Sequence, residues 1–275
     1  MNKLKMLPIG GCISPSKNDS VCSSNMNTSK HIQWLPKNYT GEFDIKMYID
    51  DGILSGINSV PDKYGWLLES RGYNQKYIDF IIANFEIIKL NFKYIFTCQM
   101  DLVAMGDPFK YTISNGAPWT RMENRKKHEK NKNISMLVSS NQVLVGHKHR
   151  LDYLNKNKNR LDLYGRGQTN ELEITDDAYT KYKFTVSMEN DVSDAYFTER
   201  LTSPMTTYTV PIYRGSRAVV EQYFNSKGVL FTEDVDLSVC TDSLYTSMLP
   251  YIEENFKIAC EFPTADDYIA ETYLL

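Results

Sequence analysis

Residues 182–216 read YKFTVSMENDVSDAYFTERLTSPMTTYTVPIYRGS, and the fold turns on how that run is parsed. Tyr182, Phe184, Val186 and Met188 alternate with Lys183, Thr185 and Ser187, the two-residue period of a strand with one face on a core. Glu189 and Asn190 end that strand. A polar turn then draws Tyr196, Glu199 and Arg200 together, a short helical segment follows, and TVPIYRG returns as an apolar strand closed by Gly215. Open α/β sheets take phosphorylated ligands where a strand feeds a helix, because main-chain N–H groups and the helix dipole converge there. The same spacing equally describes an ordinary strand, turn and helix with solvated polar residues.

One sequence family breaks that tie. Glu189-Asn190, five intervening residues, Tyr196-Phe197-Thr198-Glu199-Arg200 and then Val210-Pro211-Ile212-Tyr213-Arg214-Gly215 resemble the signature of the family 10 glycosyltransferases, the α-1,3/4-fucosyltransferases. That signature reads roughly F-x-x-x-x-E-N-x(5)-Y-x-T-E-K, followed by a V-P-x-x-x-G strand. The resemblance implies two Rossmann-like doubly wound α/β domains facing a cleft, the GT-B type. It also implies inverting transfer of L-fucose from GDP-fucose to a hydroxyl of an acceptor glycan. By motif match Asn190 and Tyr196 donate to the phosphates or the fucose, Glu199 accepts from ribose or sugar hydroxyls, and Arg200 supplies a cation. No cofactor is required beyond the donor substrate GDP-fucose, and the arrangement is metal-independent. Arg200 stands where the family usually has Lys, so the charge is kept on a wider fork. Pro204 falls in what is normally a continuous helix, which is either kinked there or starts late with Ser203 as its cap.

At 275 residues the chain is long enough for two modest cores. Apolar residues make up 42% and charged residues 24%, with a net charge of −3, which excludes a disordered or collagen-like chain and suggests no nucleic-acid partner. Five cysteines, odd in number and without a C-x-x-C pair, read as reduced intracellular thiols rather than a zinc site. No export signal opens the chain. The most apolar window, residues 80–96, holds Asn84, Glu86, Lys89, Asn91 and Lys93, too many polar groups for a membrane span. Golgi fucosyltransferases carry an anchor and stem; without a recognisable signal peptide or anchor, a microbial or viral enzyme in the cytoplasm or peripheral to a membrane is expected.

The charged run Arg121–Asn133 is the boundary candidate, read as a solvated linker because no interleaved aromatics accompany its charge. Three segments follow: 1–125, an acceptor-side domain; 126–250, a donor-nucleotide domain; and 251–275, C-terminal helices that the family architecture packs back on the first domain.

In the first segment the opening forty residues read as irregular, with Pro8, Pro15 and Pro36 as breakers, and Gly10-Gly11 forms no phosphate fingerprint. Phe43, Ile45, Met47 and Ile49 alternate as a strand, and Asp50-Asp51-Gly52 turns the chain. Trp66-Leu67-Leu68 forms a short strand that delivers Glu69 at its carboxyl end. A partly desolvated carboxylate there suits a general base, although a turn glutamate is commonly only solvated. Fucosyltransferases carry an aromatic strand followed by Glu-Ser here, and Glu69 takes the role of catalytic base by that match. Residues 75–89 carry a helical apolar stripe. Residues 109–120 read as a loop whose Trp119 either stacks on a sugar or packs in the core.

In the second segment ISMLVSSN is a strand ending at Ser139, Ser140 and Asn141. Arg150 falls in the first turn of the next helix, where a guanidinium forks onto phosphate oxygens; family members place a diphosphate ligand there. Ser140, Asn141, Glu189 and Gly165 complete the candidate donor set. His147 and His149 have metal-like spacing without an acidic partner and read as structural. Glu233, Asp234 and Asp236 read as a solvated acidic loop. A helix begins at Asp242, kinked or divided by Pro250. Two other functions fit the same residues: a glycosyltransferase of this architecture using another nucleotide sugar, and an inactive glycan-binding protein that keeps the fold. The acceptor and the oligomeric state have no sequence signal.

Overall fold

The structure, a computed structural model, describes residues 3–11, 27–57, 63–139, 144–165, 167–168, 175–193 and 195–275. The chain divides into two compact units, Met1–Asn115 with Pro263–Leu275, and Gly116–Phe262. Among the described residues each unit holds one all-parallel sheet, six strands in the first and five in the second.

The first sheet comprises β1 (Leu4–Gly10), β2 (Ile32–Trp34), β3 (Ile45–Ile49), β4 (Lys63–Leu67), β5 (Phe92–Thr97) and β6 (Phe109–Tyr111), in the order β2-β1-β3-β4-β5-β6. Helices α1 (Gly52–Gly56), α2 (Arg71–Ala83), α3 (Phe85–Asn91) and α4 (Met100–Ala104) lie between them in the chain. Ile53, Ile78, Ile81, Ile88, Ile95 and Leu102 form the core between helices and strands. The C-terminal helix Ala265–Ile269 belongs to this unit. It is fixed by buried carboxylates: Asp266 Oδ1 accepts from Trp34 Nε1 at 2.6 Å, and Asp267 Oδ1 accepts from the Lys30 N–H at 2.9 Å and from the Ser29 hydroxyl.

The second sheet comprises β7 (Lys132–Leu137), β8 (Asp162–Tyr164), β9 (Tyr182–Met188), β10 (Val210–Arg214) and β11 (Leu230–Phe231), ordered β11-β10-β9-β7-β8. With it go α5 (Val145–Asn157), α6 (Glu199–Met205), α7 (Arg217–Tyr223) and α8 (Asp242–Glu261). Ile134, Met136, Phe184, Val186, Val210 and Ile212 of the central strands meet Tyr245, Met248 and Ile252 of α8 in one core. Numbered within its own unit, each sheet runs 2-1-3-4-5, with a sixth strand added in the first, and the winding reverses between β1 and β3 and between β7 and β9. This is the α/β architecture expected from the sequence.

Several local expectations change. β9 does not show one solvated face, because Thr185 and Ser187 are as buried as Phe184 and Val186. It is a central strand of a parallel sheet covered on both sides, and its Thr185 hydroxyl is satisfied by the Ser135 hydroxyl at 2.9 Å. The opening residues are not wholly irregular: they hold β1 and β2, and Pro8 lies inside β1. β2 pairs only with Leu4, Lys5 and Met6, so it ends before Pro8 and the missing N–H breaks no ladder on that edge. The helix expected over 75–89 is two, separated at Asn84 (φ −117°, ψ 30°), whose side chain donates to Phe80 O at 2.8 Å. Residues 109–111 form β6 rather than loop.

Arg121–Asn133 is not a solvated linker. The Arg121 N–H and Asn124 Nδ2 donate to Asp176 Oδ2 at 3.1 and 2.8 Å, and Lys130 Nζ donates to Tyr179 O, Thr180 O and Thr209 Oγ1 at 3.1, 3.0 and 2.7 Å. Burial without a carboxylate partner pushes the Lys130 ammonium down to about 7. The run is bound to the second unit by polar contacts that no local pattern announces. The unit boundary falls at 115/116 rather than 125/126, and the return to the first unit at 262/263 rather than 250/251. α8 continues through Pro250 without division. Among the described residues no helix is long and apolar enough to cross a membrane.

Candidate functional site

Where the order of a doubly wound parallel sheet reverses, successive helices leave to opposite faces and a crevice opens at the carboxyl ends of the strands. In the second unit that point lies between β7 and β9. A cavity of about 510 Å³ opens there, lined by Trp119, Ser139, Arg150, Gly165, Thr175, Tyr179, Glu199, Arg200 and Ser203, among others.

Arg150 is the sixth residue of α5, in its second turn and not its first. It reaches the site by its side chain rather than by the helix end. The residue as a whole is 3% exposed; Nε donates to Gly146 O at 3.3 Å and Nη2 to Asn190 Oδ1. Both acceptors are neutral, and among the described residues no carboxylate pairs with it. Gly146 makes this possible, since a Cβ there would collide with the Asn190 main chain. α5 therefore closes directly on the loop after β9. Burial, and then the nearby charge of Arg200, pull the Arg150 pKa down to about 10.

Arg200 is the second residue of α6, with Thr198 as the N-cap accepting from the Arg200 N–H at 3.3 Å. Its guanidinium makes no hydrogen bond or ion pair among the described residues. Burial opposes its charge, but Glu199 and Glu189 outweigh that and hold its pKa above the usual arginine value. Glu199 precedes it and lines the cavity. α6 starts at Glu199, so Ser203 is not its cap. Pro204 sits near its end, and Pro204 O accepts from the Thr207 and Thr209 N–H groups as the chain leaves.

Glu189 is fully buried. Its carboxylate accepts from the Thr198 N–H and hydroxyl at 2.9 and 2.8 Å and from the Tyr213 hydroxyl at 3.0 Å, which ties the loop 189–198 to β10. Burial pushes it up to about 7, with Arg200 opposing. Tyr196 is 1% exposed and close enough to both arginines to raise their pKa values. Gly165 lines the cavity at φ 121°, where a Cβ would press on Val138 O. Ser140 and Asn141 lie outside the described residues. His147 Nδ1 accepts from the Leu144 N–H at 3.1 Å, and burial followed by Arg150 and Arg200 lowers its pKa. It closes the start of α5 as a neutral ring. No group of three metal-ligating side chains occurs among the described residues. Asp234 and Asp236 instead pair with Arg217 and Arg160, each at 2.6 Å.

The structure thus brings Arg150, Gly165, Glu199 and Arg200 to the lining of one crevice, with Asn190 bonded to Arg150, whereas the buried Glu189 and Tyr196 are not among its described lining residues. Trp119 joins them as a lining residue, its N–H held by Ser203 Oγ at 2.9 Å. Thr175, Tyr179 and Ser203 were missed by sequence reasoning. They come from a helical turn and an α6 face that look unremarkable in one dimension.

Glu69 belongs to the first unit, one residue beyond Leu68 at the carboxyl end of β4. Its N–H donates to Asp50 Oδ1 at 3.2 Å and its carbonyl accepts from Asn74 Nδ2 at 3.3 Å.

Residues 127–238, which contain the whole second sheet, match the family model for "Glycosyltransferase family 10 (fucosyltransferase) C-term". The protein named "Putative fucosyltransferase R654" of Acanthamoeba polyphaga mimivirus is 28% identical over 96 residues, covering 33% of this chain and 16% of that protein. The chain thus matches about one sixth of the length of that relative. A crystal structure of an α1,3-fucosyltransferase aligns over 92% of this chain and 80% of its own with a TM-score of 0.51 at 17% identity. Another, with GDP, aligns over 86% and 83% with a TM-score of 0.47 at 15% identity. The first of these likenesses concerns the fold alone, and the family match is a likeness of residues 127–238 to a glycosyltransferase domain.

Proposed function

We propose that this chain is an inverting fucosyltransferase that moves L-fucose from GDP-fucose to a hydroxyl of an acceptor glycan. One observation carries the reading. Two guanidiniums, Arg150 and Arg200, line one cavity at the strand-order reversal of the second sheet; Arg150 is held only by neutral acceptors, and the charge of Arg200 adds to burial in lowering the Arg150 pKa. The charge of Arg150 is unfavourable there when the site is empty and is relieved by a polyanion. A diphosphate is the group that open α/β sheets take at this place.

The reaction asks for little covalent chemistry from the protein. The acceptor oxygen attacks the anomeric carbon while the bond to the diphosphate breaks on the opposite face, and negative charge builds on the departing phosphate oxygens. Fixed cations in a partly dry site stabilise that charge without reorganising. Arg150 and Arg200 are assigned this task, so two guanidiniums serve where other enzymes place a divalent ion. Asn190, held by Arg150, and Tyr196 donate to the phosphates or the fucose, and Glu199 accepts from sugar hydroxyls. Glu69 takes the proton of the attacking hydroxyl.

The test is thermal unfolding against GDP, UDP, CMP and their sugars, together with turnover of the Glu69→Gln variant. Stabilisation by GDP and GDP-fucose but not by UDP or CMP is expected. Glu69→Gln keeps the GDP-induced stabilisation and loses transfer. A flat response to GDP removes the donor assignment, and undiminished transfer by Glu69→Gln removes the base.

A further inference from the structure

The turn that carries Glu69 is held by a side chain from the neighbouring strand. Asp50, the residue after β3, is 0% exposed. Its Oδ1 accepts from three donors: the Leu68 N–H at 2.9 Å, the Glu69 N–H at 3.2 Å and Asn74 Nδ2 at 2.6 Å. Asn74, buried on α2, uses the same amide nitrogen to reach Glu69 O at 3.3 Å. Asn115 Nδ2 holds Leu68 O at 3.1 Å. The N–H and the carbonyl of Glu69 are therefore both bound by buried polar groups that converge on this one residue.

We propose that Asp50 is the positioning residue of the catalytic base, fixing the main chain of Leu68 and Glu69 so that the Glu69 carboxylate meets the acceptor hydroxyl in a reactive geometry. This rests on the assignment of Glu69 as the base.

The structure tolerates several unfavourable features to keep Asp50 there. Its backbone lies at φ 47°, in the left-handed region that non-glycine residues seldom occupy. Strain of that kind gathers at functional sites. Burial pushes the carboxyl up to about 6 against the pull of Asn74, Glu69 and Leu68. Among the described residues Asp50 Oδ2 and Asn74 Oδ1 are both buried without a hydrogen-bond partner, a cost that a turn serving only the fold would not need. The strand end is also closely packed around it. Gly10 and Gly52 approach each other more closely than a Cβ would allow, and Asp50 Oδ2 lies 3.7 Å from where a Gly11 Cβ would be. Asp51 Oδ1 accepts from the Gly11 N–H at 2.6 Å. Asp50 thus stands at the β1/β3 reversal, the point in this sheet where a ligand crevice forms, and its Oδ1 carries that position across to the end of β4. A carboxylate oxygen suits the task because it accepts several N–H groups at once and binds each more strongly than a neutral carbonyl does.

The experiment compares Asp50→Ala, Asp50→Asn and Glu69→Gln with the wild-type full chain, by hydrogen exchange resolved over residues 63–74 and by GDP release from GDP-fucose with water and with N-acetyllactosamine as acceptors. In Asp50→Ala the Leu68 and Glu69 amides exchange at least tenfold faster while β4 stays protected. There kcat falls about 100-fold, the loss expected of a catalytic group displaced by about 1 Å, and the KM for GDP-fucose changes by less than about threefold because the donor site is untouched. Asp50→Asn, which keeps an oxygen for the two N–H groups, recovers at least tenfold of the lost kcat. Unchanged protection of Leu68 and Glu69 in Asp50→Ala overturns the proposal, as does an undiminished kcat. If Asp50→Ala unfolds, Asp50→Asn decides: native protection with a kcat as low as that of Glu69→Gln also overturns it. Wild-type turnover by Glu69→Gln removes the base assignment and with it the catalytic purpose. The exchange result then still reports whether Asp50 holds the turn, so the two failures are distinguishable.

Discussion

Replacing Arg150 with methionine keeps most of the side-chain stem and removes the guanidinium. In the unliganded protein the depression of Arg150 to about 10 means that charging it in the folded chain costs about 3 kcal/mol relative to water. The sign follows from the direction: a basic group with a lowered folded pKa destabilises the fold throughout neutral pH, where it is protonated in both states. Against this stand its bonds to Gly146 O and Asn190 Oδ1, together worth about 1–3 kcal/mol. The two nearly cancel, so Arg150→Met should shift unliganded stability by less than about 2 kcal/mol. Breaking a structural buried pair instead costs about 3–5 kcal/mol.

Binding behaves differently. Losing charge-assisted bonds to a diphosphate costs about 1.5–3 kcal/mol, roughly a hundredfold in Kd. At a GDP concentration of about 100 times the wild-type Kd, the ligand stabilises the wild type by about 2.7 kcal/mol. The variant, then near its own Kd, gains only about 0.4 kcal/mol by the same relation. At roughly 2–4 °C per kcal/mol for units of this size, a wild-type Tm shift of about 5–10 °C collapses to about 1 °C. Differential scanning fluorimetry with and without GDP reads both quantities. A variant that melts far below the wild type without nucleotide, yet keeps the full GDP shift, would show that Arg150 is a structural arginine and refute the reasoning.

Other outcomes are equally specific. Glu189→Gln removes a buried carboxyl pushed up to about 7; its raised pKa contributes stability that is lost as pH rises from about 4.5 to 7, worth about 3 kcal/mol. Urea midpoints measured across that window should decline less in Glu189→Gln than in the wild type, and parallel slopes would count against the burial of that charge. Asp50 acts with the same sign but is complete by about pH 6, and it remains in both proteins. Gly146→Ala forces α5 off the Asn190 main chain, an overpacking cost of about 1–3 kcal/mol. Calorimetry should find GDP binding weakened about tenfold or more with secondary structure intact, and unaltered affinity would mean that Arg150 and Asn190 need not be held together. Excess EDTA should leave the GDP-induced Tm shift unchanged. A shift lost on chelation and restored by Mn²⁺ would take the diphosphate away from the two arginines.

The strand pattern around Tyr182–Met188, the return strand at Val210 and the polar turn between them were legible because period-two alternation and fixed motif spacing are local properties. Glu189 was visible as a polar residue ending a strand, but not as the buried anchor of Thr198 and Tyr213, since those partners lie 9 and 24 residues away. Lys130 read as one charge in a basic run, and only folding sets it beneath the carbonyls of Tyr179 and Thr180. Asp50 gave no signal beyond a D-D-G turn, because its partners at Leu68, Glu69 and Asn74 belong to the next strand and helix.

What the linear sequence determined by itself was the kind of fold and the identity of the chemistry-bearing groups: alternating strand and helix patterns, a donor-site motif at one strand end and a lone glutamate after another. The tertiary structure alone decided which strands stand side by side, and hence where each sheet reverses and opens a crevice. It also decided which charges are stripped of water there. Desolvation and repulsion depend on distance in space, and no spacing along the chain records that Arg150 and Arg200, fifty residues apart, share one pocket, or that Asp50 holds the backbone of Glu69.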